Sequence, residues 1–291
     1  MELLVTLRKR ALLERVIPFV DGIIVGKFFT SSYHCSLKEI VEINVICKAN
    51  QKKLYIALDD FISEDDINAL YQYLEFIRKL EPDGIYFHDL GIIAAAKKYG
   101  LSDRLIYDGK TVACNSLDTA FLLSKGIDSV VLSRELTLEE IARILQNNPR
   151  QIDLQVFGHQ RLSYSKRRFL TNYFKEINKK NYKYLDNENL FLVEEQRDYK
   201  LPIIENEEGT FIYSDYVLEM FNELPELKPY LKRAIIDTLF INDDTIIDVC
   251  KDLHRITSDN KLFLRDHLYQ NHPDSYSSGF LYQRTNISKD E

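Results

Sequence analysis

Cysteine is scarce in this chain and poorly spaced for chemistry. Only four of 291 residues are cysteine, at Cys35, Cys47, Cys114 and Cys250. No two of them form a CxxC pair, and no Cys/His pair has the spacing of a zinc site. A chain of this length can bury its core without disulfides, so a reducing cytoplasm is the simplest compartment. Long apolar runs are also missing: no window reaches the roughly 20 apolar residues of a transmembrane helix. Arg8, Lys9, Arg10, Glu14 and Arg15 interrupt the apolar runs near the start, which speaks against a signal segment. No G-x-G-x-x-G follows the first strand-like run, as a dinucleotide fold would need, and there is no G-x-S-x-G elbow. Positive charge is not in excess. A net charge of −7 and a pI near 5.5 argue against whole-surface attraction to nucleic acid.

What is present is a regular alternation. Short β-branched runs at 3–5, 22–25, 54–57, 84–87, 105–107, 129–132 and 152–157 each precede a polar or amphipathic stretch. The helical stretches fall at 9–19, 37–49, 65–80, 90–99, 116–125 and 138–145, with Ser63 a cap and Thr137–Glu140 a capping box. Asp-Gly-Ile at Asp21 and Asp83, and Gly-Ile-Asp at Gly126, read as helix-stop turns feeding the next strand. Seven successive strand–helix units argue for a parallel sheet with helices outside. A doubly wound sheet is the alternative. The preferred fold is α/β, a TIM-like (β/α) barrel whose eighth strand comes from 233–240, followed by a helix over 244–255. A small insertion containing a β-hairpin around Asn206–Gly209 separates strands seven and eight. The expected divisions are 1–183, barrel strands one to seven with a basic helix after them; 184–230, the β-rich insertion; 231–270, the last strand and helix; and 271–291, a strap over the barrel with a disordered end.

In such a barrel chemistry belongs at the C-terminal strand ends. Those ends carry Lys27, Asp59, His88-Asp89, Tyr107-Asp108, Ser133-Arg134-Glu135, Gly158-His159 and Asp237. His159, His88, Asp108 and Glu135 are the candidate catalytic groups, since imidazole and carboxylate exchange protons near neutrality. Arg134, Lys27 and Tyr107 are candidates for holding substrate. Helix caps and ion pairs give the same pattern: Asp89 and Ser133 can be caps, and Arg134 with Glu135 an internal pair. His88, Asp108 and His159 are types that suit a divalent ion, but their spacing is not diagnostic and no metal site is assigned. Ser133 or Ser163 beside a histidine would serve as a nucleophile.

One segment departs from the acidic average. Residues 161–183 hold eight Lys/Arg and one acid, Glu176, leaving 30 basic and 44 acidic residues elsewhere. Tyr164, Phe169, Tyr173, Phe174, Tyr182 and Tyr184 are interleaved. Arg161, Lys166, Arg167 and Arg168 are therefore candidates for binding RNA, cations to phosphates and rings to unpaired bases. The plain alternative is a solvated helix face with its rings in the core.

Several stretches resemble the collagenase-like peptidases, family thirty-two among peptidases of unknown catalytic type. These are Phe87-His-Asp-Leu-Gly91, Asn115-Ser116, Val130-Val-Leu-Ser-Arg-Glu-Leu136, and Gly158 through Tyr164-Ser165 to Asn172-Tyr173. The resemblance runs over nearly the whole chain. It implies a barrel, a peptidase label, and Asn115 among the substrate-binding residues. It also implies kinship with proteins acting in wobble-uridine hydroxylation of tRNA or in oxygen-independent ubiquinone hydroxylation. Those relatives carry an iron–sulfur cluster on cysteines, two of them in a hallmark like G-A-x-C-x-x-Y-S-x-x-C. Here Arg161 and Arg168 stand in those two places, and arginine cannot replace a thiolate on iron. No cofactor is therefore expected. The leading expectation is a substrate- or RNA-binding subunit in tRNA wobble-uridine hydroxylation, beside a cysteine-bearing paralogue and without a membrane association. A genuine peptidase and a non-catalytic partner protein are the alternatives.

Overall fold

The alternation of β-branched runs and returning helices closes into a barrel. The computed structural model describes residues 1–30, 35–179, 182–193, 195 and 199–283. Strands β1 (Glu2–Thr6), β2 (Gly22–Val25), β3 (Lys53–Leu58), β4 (Gly84–Phe87), β5 (Leu105–Asp108), β6 (Ser129–Val131) and β7 (Ile152–Ser165) pair in parallel in chain order. Between them run α1 (Leu13–Val16), α2 (Leu37–Ala49), α3 (Ile67–Leu80), α4 (Gly91–Lys97), α5 (Ser116–Leu123) and α6 (Leu138–Asn147). An excursion follows: α7 (Phe169–Glu176), β8 (Phe191–Val193), β9 (Lys200–Glu205), β10 (Thr210–Glu219) and α8 (Leu224–Leu227). Then come β11 (Arg233–Ile236), α9 (Asp243–His254), α10 (Lys261–Asn271) and β12 (Tyr276–Ser277). β11 closes the barrel, pairing in parallel with β7 on one side and β1 on the other. The expected eighth strand is thus confirmed.

Alternation along each strand sorts the core into two layers. Leu4, Ile24, Tyr55, Ala57, Tyr86, Ile106, Val131 and Ile235 fill the inside of the barrel. Their sequence neighbours, such as Val5, Ile23, Ile56, Phe87 and Tyr107, pack outward under the helices. The repeated Asp-Gly-Ile entry has more than a turn-forming role. Asp21 and Asp83 each accept the second amide of a neighbouring strand, from Leu3 at 2.8 Å and Leu54 at 2.9 Å. Gly84 makes room inside, because a Cβ there would lie 2.7 Å from the Tyr55 ring. The barrel floor is held by buried Arg233, which donates to Ser129 Oγ (2.8 Å), Asp128 (2.6 Å) and Asp153 (3.2 Å).

The capping box expected at Thr137 is present, the cap expected at Ser63 forms a box with Asp66, and Ser36 with Glu39 forms another. The helix expected over 9–19 is broken into two 3₁₀ turns flanking the four residues of α1. Pro18 sits at the head of the second turn, where it lacks the N–H that a continuous helix would use. α10 has no counterpart in the sequence reading. Exposed Leu262 and Phe263 blur its apolar stripe, which rests on Leu264 and Leu268.

The main correction concerns β7. The sequence suggests a strand ending at Phe157 and a turn at Gly158-His159, with the basic residues on a helix. The strand instead continues to Ser165, pairing antiparallel with β10 from Phe157↔Glu219 to Ser165↔Thr210. The hairpin is thus built on the barrel's own strand, and of the basic segment only Phe169–Glu176 is helical. Lys180 lies outside the described residues, as does the end expected to be disordered, 284–291. In the described part of the C-terminal segment β12 lies beside β10, and Leu138 N donates to the Leu281 carbonyl at 2.9 Å.

The excursion leaves the seventh strand–helix unit with only the single turn of α8. A groove of about 840 Å³ opens there between α6, α8 and the strap, lined by Leu138, Leu145, Leu227, Tyr230 and Tyr282. It lies outside the barrel, away from the strand ends. Among the described residues no helix is long and apolar enough to cross a membrane.

Candidate functional site

The C-terminal mouth of the barrel gathers charge from five strands. β3 ends in Asp59 and Asp60, β5 in Asp108 with Lys110 just beyond, β6 leads to Arg134, β11 to Asp237, and the β7 extension carries Arg161. Lys110 Nζ lies 3.1 Å from Asp59 Oδ2 and bonds Asp108 closely. Arg161, only 7% exposed, donates to Asp60 Oδ1 at 3.0 Å and to the Asp59 carbonyl at 3.1 Å. Its guanidinium also sits 5.7 Å and 5.6 Å from the ring centres of Tyr164 and Phe211. Arg134 donates to the Arg161 carbonyl at 3.3 Å.

Burial works against every carboxylate here, and the cations decide the outcome. For Asp59, burial is overcome by Lys110 and Arg161, which hold its pKa well below the usual carboxylate range. Asp108 is likewise lowered, Lys110 and Arg134 outweighing burial. Asp60 goes the other way, up to about 7: burial dominates, Asp59 and Glu208 add to it, and Arg161 offsets only part. One of its oxygens, Oδ2, is buried with no hydrogen-bond partner among the described residues. Asp237 is also raised by burial, its Oδ1 accepting from Leu239 N at 3.0 Å. Below these groups lies a cavity of about 30 Å³ lined by Asp59, Asp108, Lys110, Arg134, Gln155 and Asp237. That volume suits ordered water, not an organic substrate. A larger ligand would therefore sit on the rim above it.

Two histidines flank this mouth. His88 Nδ1 is 2.9 Å from the Asp108 carbonyl, and His159 Nδ1 is 2.8 Å from the Ser214 carbonyl. A carbonyl only accepts, so both rings carry their proton on Nδ1. Burial lowers both pKa values, in each case against an opposing backbone hydrogen bond. His88 reaches the mouth; His159 is buried in the hairpin, its ring edge-on to Phe240.

Other expected residues are placed elsewhere. Tyr107 is buried beneath the helices against Phe87, because alternation turns it away from the mouth where Ile106 points inward. Asn115 is the N-cap of α5, accepting from Leu117 N and Asp118 N and donating to Asp118, so its amide serves the start of that helix. Glu135 is exposed and forms no ion pair with Arg134 among the described residues, so the expected internal pair is not made. Lys27 is half-buried with its amine 5.4 Å from the Phe28 ring centre. Asp89 lies just before α4 and accepts from Gly91 N, the first residue of that helix, and from Ile62 N in the β3–α3 loop. Arg161 belongs to the buried ion pairs and not to a surface patch, while Lys166, Arg167 and Arg168 are exposed. Sequence reasoning passed over Asp60, Lys110 and Gln155. The signal was the doublet Asp59-Asp60 and the tripeptide Asp108-Gly-Lys110, each just past a strand.

The donors present do not fit an iron–sulfur cluster. A buried guanidinium stands at one hallmark position and an exposed one at the other. Cys35, Cys47 and Cys250 are buried in separate elements, with burial pushing the first two thiols up to about 11. Cys114 is exposed before α5, bonded to the Thr111 carbonyl. Among the described residues, no group of three or more His, Cys, Asp or Glu is arranged to hold a metal ion. Among the described residues neither Ser133 nor Ser163 hydrogen-bonds a histidine; Ser133 Oγ accepts from Glu135 N.

Fold and mouth together define a closed (β/α)₈ barrel protein with an ion-paired upper face. The model of peptidase family U32 matches residues 30–290, and the chain belongs to that family. It is 29% identical over 198 residues to tRNA hydroxylation protein P2 of Bacillus subtilis (strain 168), covering 66% of this chain and 63% of that protein. It is 27% identical over 269 residues to an uncharacterized protease of Methanocaldococcus jannaschii, covering 87% of this chain and 65% of the other. The chain thus spans a little under two thirds of the length of these curated relatives. A solved U32 peptidase aligns with a TM-score of 0.51 at 14% identity, over 81% of this chain and 92% of that one, which shows the shared fold.

Proposed function

We propose that this chain is a cytoplasmic substrate-binding subunit for hydroxylation of the tRNA wobble uridine, acting with a cysteine-bearing paralogue that supplies the redox chemistry. The observation that carries the reading is Arg161. At a position where the family hallmark has a cluster thiolate, this chain has a guanidinium locked to Asp60. The mouth is then a place for binding, with no cluster of its own. Its similarity to tRNA hydroxylation protein P2 supports RNA as the substrate class. The exposed Lys166, Arg167 and Arg168 at the far end of β7 supply phosphate-binding charge on an otherwise acidic body. His88 and Asp108 stand nearest the substrate in this reading, with Arg134 on the rim. His159 and Glu135 have supporting places, in the hairpin and on the surface.

Two measurements test it. A deletion strain should lose wobble 5-hydroxyuridine and its derivatives in nucleoside mass spectrometry; unchanged levels would sink the proposal. Changing Lys166, Arg167 and Arg168 together to glutamate should weaken tRNA binding by roughly tenfold or more at low salt, and flatten its salt dependence. Equal affinities and slopes would remove these residues from the interface. The peptidase reading finds no nucleophile–base pair among the described residues to favour it.

A further inference from the structure

The mouth has an unusual neighbour: an aromatic ladder that starts in the core and ends in solvent. Phe211 is fully buried in the hairpin. Tyr164 stacks on it at 4.8 Å and 24°, and Phe61 stacks on Tyr164 at 5.6 Å and 25°. Phe61 is 47% exposed although its loop is anchored, Ile62 N donating to Asp89 at 3.1 Å. A large ring held in place and left in water is a ready platform, because little further conformational freedom is lost when a flat ligand settles on it.

His88 stands beside this platform, its ring centre 4.4 Å from that of Phe61 and nearly perpendicular at 82°. Its Nδ1 proton is committed to the Asp108 carbonyl. Nε2 therefore presents a lone pair, and among the described residues nothing donates to it. A ring that stacks on Phe61 with an N–H turned toward His88 would satisfy both. Uracil has such a group, its imide N–H. Cytosine offers a bare ring nitrogen at the same place, so two lone pairs would oppose each other. Beyond the ladder, Lys166, Arg167 and Arg168 follow Tyr164 along the chain and are exposed, with Lys166 Nζ 3.5 Å from Asp66 Oδ2.

We infer that Phe61 and His88 form a seat for one unpaired uracil base at the barrel rim, Phe61 supplying the stacking face and His88 Nε2 accepting the imide N–H. This rests on the RNA-binding reading above and adds to it the residues that tell uracil from cytosine. Arg161 contributes from below, since it fixes Tyr164 and Phe211 against the paired carboxylates. His88 is a specificity residue here. The 30 Å³ cavity beneath is too small to admit the base, so the seat lies on the rim and not inside the barrel.

Fluorescence anisotropy with labelled oligouridylate and oligocytidylate of eight nucleotides tests the seat. The wild type should bind the uridine oligomer several-fold more tightly. Phe61→Leu should weaken both oligomers by roughly tenfold, the scale of one lost base–aromatic stack, while Phe61→Trp should retain binding. His88→Ala should abolish the preference by weakening only the uridine oligomer. If the wild type binds RNA but Phe61→Leu binds equally well, or the preference survives His88→Ala, the seat is wrong and the RNA reading stands. If the wild type binds neither oligomer, the RNA reading fails and the seat fails with it. Circular dichroism of each variant separates loss of contact from loss of fold.

Discussion

Arg161→Ala should cost the protein about 3–5 kcal/mol of stability, the scale for stripping a buried ion pair of one partner. Asp59 and Asp60 would remain in the barrel mouth with Lys110 as their nearest cation, and Lys110 already serves Asp108. Asp60 is the more sensitive of the two, because one oxygen is already buried without a partner and its other bond is to Arg161. The loss should therefore be partly reversed by a second change, Asp60→Asn, which removes the stranded charge. Urea unfolding of the wild type, both single variants and the double variant gives the coupling directly. Additive single effects would show that the pair does not act as a unit. Arg161→Cys, which restores the hallmark residue, should be destabilising for the same reason. A thiol in this place brings neither positive charge nor the forked donors that Asp59 and Asp60 use.

The second large effect belongs to Gly158. This residue has φ +112°, a conformation that side-chain-bearing residues rarely adopt, and a Cβ added there would lie 2.3 Å from the Asp237 carbonyl oxygen. Gly158→Ala thus combines backbone strain with a collision against the chain just past β11. We expect a loss of about 3 kcal/mol or more. The collision falls at the seam where β7 and β11 close the barrel, with Phe157 opposite Ile236 in a shifted register. The variant should accordingly lose thermal stability and near-ultraviolet dichroism together. A melting temperature within a degree or two of wild type would show that the seam yields without cost.

The barrel was readable because its signals are local. Each strand is a β-branched run, and each of the capped helices begins with its cap in sequence, as at Thr137–Glu140. The strand-end acids and His88 followed from the same logic, since the barrel rule says where a strand's last residue points. What sequence could not show was direction and pairing. Tyr107 and Asp108 are adjacent, yet alternation sends one under the helices and the other into the mouth, and a one-residue difference in strand end reverses the assignment. Arg161 looked like part of a surface charge run because its neighbours Lys166 to Arg168 are. Its burial depends on Asp59 and Asp60, about a hundred residues earlier, and on β7 running on through Gly158 where a turn was expected. A glycine followed by polar residues reads as a turn. Here it lies within one continuous strand, and its positive φ together with its close approach to Asp237 explains why glycine is needed.

That division of labour has a consequence for how the protein is made. Asp60 and Arg161 lie 101 residues apart. On a ribosome adding roughly 5–20 residues per second, Asp60 emerges at least several seconds before its counter-charge. During that interval the first strands and helices can pack locally, but Asp59 and Asp60 are better left in water than enclosed. The upper face must therefore remain unfinished until the hairpin has been synthesised, and the barrel cannot close until β11 follows. The site is among the last parts of the molecule to form, because the strand that neutralises it arrives late.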